Sequence, residues 1–247
     1  AAMLNVATAP TDDIEVRKAI IAATDSAEIV STIYFDAYPV ATAALGAASW
    51  AYNPDVAPQT AFDLDAANAG LEAAGWVMNG DYREKDGQRL TINFVYAAGW
   101  DGQEYAELWQ AQLLRAGIEM QLTMLDAAGK LAAIQGGTAN AAVTGWTSSD
   151  PIVLEHLFHS KNIADGFAFS AYNDPALDEA LDKGRAEIDF ETRKAYYQTV
   201  QQIIADQALV VPFYDQVAIN GIAPSVHDVK LDSRSTYRWL YDTWIGE

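Results

Sequence analysis

Apolar residues recur at helical spacing at the start of the chain. Val16, Ala19, Ile20 and Ala23 share one face of Asp12 to Ala23, and a second stretch, Ala27 to Phe35, follows Asp25. Two linked helices are expected there. Pro39 to Pro58 is rich in Ala, Pro and Gly without a clean period, which predicts an ordered irregular loop. Leu64, Ala67, Leu71 and Ala74 form a helical stripe closed by Gly75, where positive φ costs glycine least. Asn79-Gly80 and Asp86-Gly87 are turn dipeptides. The second should form a hairpin feeding a half-buried strand in which Leu90, Ile92, Phe94 and Tyr96 alternate with polar neighbours.

Asp101 and Glu104 have capping-box spacing ahead of a helix through Tyr105, Leu108, Trp109 and Ala116, which Gly117 stops. Ile118, Met120, Leu122 and Met124 then alternate as a strand with one buried face, a short helix spans Ala128 to Gln135, and Ala141 to Trp146 reads as a further strand. Strand, helix and strand in succession imply an α/β sheet. Asp174-Pro175 opens a helix carrying Leu177, Ala180 and Leu181, and Phe190 to Ile204 lines another. Leu209 to Tyr214 and Val217 to Ala223 read as strands. The pattern describes one α/β lobe, with Asp228 to Glu247 of less certain attachment.

Composition narrows the function classes. At 247 residues and 51% hydrophobic the chain has material for a sizeable core. Its 34 acidic against 15 basic side chains give a formal charge of -19, which repels nucleic acid and anionic lipid, so neither is expected as a partner. No apolar run approaches the roughly 20 residues of a membrane span, and the opening AAMLNVATAP lacks the regions of a signal peptide, which predicts a soluble segment. Without cysteine there is no thiol nucleophile and no thiolate metal site.

The chemistry-bearing residues gather in GWTSSDPIVLEHLFHS, Gly145 to Ser160. His156 and His159 are three apart, but the only other histidine is His227 and no third ligand is spaced for it. The reading is a polar helix edge after Pro151 rather than a metal site. Ser149, His159 and Asp150 have the composition of a serine hydrolase triad, yet neighbours on one segment seldom reach triad geometry, and the Gly-x-Ser-x-Gly elbow is absent. Neither a catalytic residue nor a cofactor is called for. Loops after predicted strands carry Trp100 and Asp101, then Trp146, Thr147, Ser148, Ser149 and Asp150, then Tyr214. In open α/β sheets ligands bind beyond the strand carboxyl ends, where tryptophans offer flat apolar faces and hydroxyls offer hydrogen bonds, so these residues are the candidate binding site.

The segments VRKAIIAATDSAEIVSTIYF, FDLDAANAGLEAAGW, YREKDGQRLTINFVY, WQAQLLRAGIEMQLTMLD, GWTSSDP and YNDPALDEALDKGRAEIDFETRKAYYQTVQQIIADQALVVPFY, in this order, resemble the C-terminal portion of the family 5 extracellular solute-binding proteins, the oligopeptide-, dipeptide- and nickel-type receptors of ABC importers. The resemblance implies a type II periplasmic-binding-protein-like lobe, a mixed sheet flanked by helices, over residues 1–223. Residues 224–247 would be a tail that packs on an N-terminal lobe not found in this sequence. Trp239, Leu240, Tyr241, Trp244 and Ile245 would then fold against this lobe or make a dimer contact. It further implies a non-enzymatic protein outside the cytoplasmic membrane, periplasmic or lipid-anchored, that closes on a small solute and delivers it to a membrane permease. Peptide-binding relatives place an aspartate where Ser149 stands, to hold the peptide amine, and basic residues where Ile134 and Val143 stand, to hold its carboxylate. Those departures leave oligopeptides and oligosaccharides both open as ligands. The alternatives from other classes are a serine hydrolase and a sensor or interaction domain.

Overall fold

The computed structural model describes residues 1–97, 102–145, 148–231 and 238–246. The chain opens with β1 (Ala2–Leu4), then α1 (Ile14–Ala22), α2 (Ser26–Tyr34) and α3 (Leu64–Ala73). A small antiparallel sheet follows, β2 (Val77–Asn79), β3 (Tyr82–Lys85) and β4 (Gln88–Arg89), turned at Gly80 and at Asp86-Gly87, all three in positive φ. The central run is β5 (Thr91–Ala97), α4 (Gly102–Arg115), β6 (Glu119–Leu125), α5 (Ala127–Gln135) and β7 (Ala141–Val143). Helices α6 (Val153–Phe158), α7 (Pro175–Ala186) and α8 (Phe190–Asp206) lead to β8 (Val210–Val211). The tail holds β9 (Val226–His227), β10 (Lys230–Leu231), β11 (Arg238–Trp239) and β12 (Trp244–Ile245).

Aspartate starts many of these helices. Asp13, Asp25, Asp63, Asp126, Asp174 and Asp189 each accept a backbone N–H of the first turn at 2.7–2.9 Å, satisfying donors that the helix itself cannot. Part of the acid surplus is therefore local structure. Pro39 to Asn53 is irregular as expected, but the segment then enters a 3-10 helix, Pro54–Thr60; it is pinned across α8 by the buried Gln201, whose amide donates to Ala51 O and accepts from Asn53 N.

The main sheet runs β6-β5-β7-β1-β8. β5 is parallel to β6 and to β7, while β1 is antiparallel to both β7 and β8, so the sheet is mixed. Helices cover both faces. On one, Ala2, Leu4, Val143, Phe94 and Ile92 pack with side chains of α1, α3 and α4. Trp109 of α4 anchors this layer, its ring edge-on to Phe94 and Phe213 and its Nε1 donating to Thr24 at 2.7 Å. On the other, Met3 and Val210 meet α6, α7 and α8, and Val95 and Ala142 meet Ile134 of α5.

Four expectations are corrected. β5 is interior rather than half-buried, with Phe94, Val95, Tyr96 and Ala97 all buried, because both its neighbours and both its faces are occupied. β6 is the edge strand, so Ile118 and Met120 are buried while Met124, further along the same alternation, is 52% exposed. Val217 to Ala223 forms no strand. Val217, Ile219 and Ile222 are exposed there, and among the described residues between β8 and β9 the one β-pairing is a single bridge, Val40 to Tyr214. The segment after Pro151 is no polar edge, since Val153, Leu154, Glu155 and Phe158 of α6 are buried.

Among the described residues the tail strands pair with one another. β9 pairs with β12 and β10 with β11, Trp244 stacks on His227 at 4.2 Å, and Trp244 Nε1 donates to Asp228. Leu240, Tyr241, Trp244 and Ile245 are left exposed, Tyr241 at 97%.

Arg83 ties the small sheet to the body. Its buried guanidinium donates to Ala116 O, Trp76 O and Asn68 Oδ1 at 2.7–2.8 Å. Arg83→Leu leaves those acceptors without a donor and should destabilise the chain by about 3 kcal/mol in urea unfolding; a change below about 1 kcal/mol would show that the anchor is dispensable.

Candidate functional site

Because β1 is antiparallel to its two neighbours, β5, β6, β7 and β8 all point the same way and their carboxyl ends share one edge of the sheet. The chain leaves adjacent strands β5 and β7 toward opposite faces. After β5 it enters α4, whose Tyr105, Ala106 and Trp109 belong to one helical layer. After β7 it reaches α6, whose Val153, Leu154 and Phe158 belong to the other. A crevice beyond the carboxyl ends of two such strands is the site that an open α/β sheet offers to a ligand.

Val143 ends β7, and its carbonyl accepts from Lys130 Nζ at 2.8 Å. Lys130 arrives from α5, with its ammonium 5.2 Å from the centre of the Phe169 ring. Burial lowers its pKa below the ordinary lysine range. Beyond β7, Gly145, Ser148 and Ser149 are exposed. Ser148 Oγ donates to Asp150 O at 2.8 Å and accepts from Asp150 N at 3.2 Å, a local turn.

The candidate residues separate on inspection. Asp150 is engaged: Arg193 of α8 grips both its oxygens at 2.9 and 3.1 Å, and Oδ1 also accepts from Ile152 N. Arg193 is itself held by Gly184 O at 3.0 Å and lies over the Trp50 ring at 5.3 Å. Asp150 thus anchors the loop to α8, and its charge is neutralised in place. Trp100, Asp101, Trp146 and Thr147 lie outside the described residues. Tyr214 leaves the same sheet edge from β8, two strands from β7 and so about 10 Å away at ordinary strand spacing. It joins an aromatic cluster with Tyr38, stacked at 5.1 Å, and Tyr34 at 4.6 Å.

The triad composition has other partners. The His159 imidazole is buried against α7, with Nδ1 3.1 Å from Asp178, whose carboxylate also accepts from the Ser160 N–H and hydroxyl. Asp150 is committed to Arg193. His156 is exposed where His159 is buried, and among the described residues no three His, Cys, Asp or Glu side chains cluster as metal ligands do.

Two residues that matter here escaped the sequence pattern. Arg193 carries no local signal, because its partner is 43 residues away. Lys130 does carry one: it is a lone cation in the apolar AAGKLAAIQ, in the first turn of a helix that directly follows a strand.

Asp150→Ala and Arg193→Ala should each lower stability modestly, and their double-mutant cycle in urea should return a coupling of about 1 kcal/mol, since a single guanidinium nitrogen reaches both carboxylate oxygens in a partly exposed pair. Zero coupling would mean that the pair does not hold the loop.

The comparisons with known proteins agree on a lineage. The family model "Bacterial extracellular solute-binding proteins, family 5 Middle" matches residues 1–165. Protein XP55 of Streptomyces lividans is 33% identical over 153 residues, 58% of this chain and 27% of that protein. A probable di/tripeptide-binding protein of Pseudomonas aeruginosa is 26% identical over 212 residues, 85% of this chain and 39% of that protein. The oligopeptide-binding protein AppA of Bacillus subtilis, solved with a nonapeptide, superposes with a TM-score of 0.81 at 21% identity, covering 100% of this chain and 50% of that one, which speaks to the fold. The chain thus spans half or less of the length of each of these relatives. Family 5 proteins bind solutes without turning them over, in keeping with the prior commitment of Asp150 and His159. With its matched residues covering four of the five strands of the main sheet, the helices of one face and α5 and α6 of the other, this chain belongs to the bacterial extracellular solute-binding proteins of family 5.

Proposed function

We propose that this chain is one lobe of the substrate-binding component of an ABC importer, holding an extracellular solute of the oligopeptide or oligosaccharide class at the crevice between β5 and β7 and passing it to a membrane permease. The observation that carries this reading is the pair of adjacent parallel strands whose chains depart to opposite helical layers, in a member of a solute-binding family. The names of relatives favour peptides. A grip on the solute comes from Ser148 and Ser149 at the rim and Tyr214 further along the edge, together with Trp100, Asp101, Trp146 and Thr147, which follow β5 and β7 in the sequence.

The coverage of the relatives supports a second lobe closing over this edge by hinge motion. Exposed Leu240, Tyr241, Trp244 and Ile245 fit the same arrangement as a surface awaiting that lobe or a second copy of the chain. The protein works outside the cytoplasmic membrane, in the periplasm or on a lipid tether; no helix among the described residues is long and apolar enough to span a bilayer.

Half a clamp binds weakly. Calorimetry of the 247-residue chain with short peptides and oligosaccharides should give a Kd of about millimolar, or ~4 kcal/mol. Submicromolar affinity would overturn the half-site reading, and hydrolysis of either substrate would overturn the binding role itself.

A further inference from the structure

We infer that Trp50 is a positioning residue of this site: its indole holds the Arg193 guanidinium in place, and through Asp150 that guanidinium fixes the Ser148–Asp150 turn at the rim of the crevice. The inference rests on the proposed solute-binding role of that crevice and adds to it a residue that touches no solute.

Three observations carry it. The first is how little else fixes the turn. Among the described residues, the hydrogen bonds of Ser148 and Asp150 other than those from Arg193 stay within residues 148–153, so they shape the turn without placing it on the lobe. The tie to another element is Arg193 Nη2, at 2.9 and 3.1 Å from the two carboxylate oxygens of Asp150.

The second is the cage around that guanidinium. An arginine side chain has many rotamers, and a partly exposed ion pair contributes too little by itself to select one. Here the selection is made from outside the pair. The Trp50 and Tyr197 rings stand at 85° with centroids 6.1 Å apart, and Arg193 Cζ lies 5.3 Å from the centre of one and 5.5 Å from the other, in the corner they form. Both rings attract the cation, and Gly184 O accepts from Nε at 3.0 Å. Tyr197 is fully buried and belongs to the core of this layer in any case. Trp50 is only half-buried, the wall of the cage that comes from outside the helices.

The third is registration. Phe190, Arg193, Tyr197 and Gln201 recur at three- and four-residue spacing, one stripe of α8. Phe190 packs on the Trp50 ring at 4.9 Å, and further along the stripe Gln201 donates to Ala51 O at 2.8 Å and accepts from Asn53 N at 3.1 Å. The segment that carries Trp50 therefore cannot slide along the helix that carries Arg193. One helix face sets the position of the tryptophan and of the rim together.

The rival role for Trp50 is filler between α8 and the irregular segment, and proton exchange at the rim separates the two. The 247-residue chain is compared with Trp50→Phe, which keeps an aromatic face, and Trp50→Leu, which keeps only apolar bulk. NMR follows the exchange of Arg193 Nε–H and Asp150 N–H with water, then the Ser148 and Ser149 amides during titration with trialanine and with maltotriose. In Trp50→Leu both protons should exchange about tenfold faster and solute binding should weaken about fivefold, while Trp50→Phe stays close to the unaltered chain. Exchange that is alike in all three chains would overturn the assignment, and so would faster exchange without weaker binding. If Trp50→Leu does not fold, the unaltered chain still decides, because an Arg193 Nε–H that exchanges as fast as in free arginine has no cage around it. Each of these results leaves solute binding at the crevice standing. If neither trialanine nor maltotriose shifts the Ser148 and Ser149 amides of the unaltered chain, the crevice reading fails and the positioning role fails with it.

Discussion

Three residues hold the sheet together. β1, Ala2–Leu4, is inserted antiparallel between β7 and β8, and without it the three strands that carry the crevice would be separated from the strand that carries Tyr214. All three side chains are buried, with Ala2 and Leu4 facing one helical layer and Met3 the other. A buried strand must pair its backbone on both sides, and β1 does so with β7, with β8, and beyond its end through Leu4 N to Leu209 O and Asn5 N to Asn140 O. The common direction of the other four strands, and hence the existence of a shared carboxyl edge, follows from this insertion.

That strand was also the least legible part of the fold. Helices announce themselves by a period of 3.6 residues and an aspartate cap, and α1, α2, α3, α7 and α8 lie where those signals put them, to within a residue or two at their ends. A three-residue strand has no room for a period. Its burial comes from partners 137 to 209 residues along the chain, which only the tertiary structure supplies. The converse holds at Val217 to Ala223, where alternation is present in the sequence and the residues form no strand. β6 lies between these cases, since its pattern correctly gave a strand while its place at the sheet edge decided that Met124 would be exposed.

The site divides along the same line. Which loops would approach one another could be read from strand order and spacing. What each side chain does could not, because charges choose partners across elements. Asp150 looked available from its neighbours in the sequence, and Arg193 of α8 has taken it. The resemblance leads one to look for basic residues at Ile134 and Val143, and neither is basic. Lys130 stands one helical turn before Ile134 and hydrogen bonds to the Val143 carbonyl, a contact between α5 and β7 that no local pattern announces.

The departure of β5 and β7 into separate layers has a consequence for how such a receptor diversifies. The two walls of the crevice are rooted in helices that do not share a packing surface, one set on each side of the sheet. Lengthening or remodelling one wall therefore leaves the other undisturbed, and the shape of the cargo space can drift by separate small steps while the scaffold beneath keeps its register.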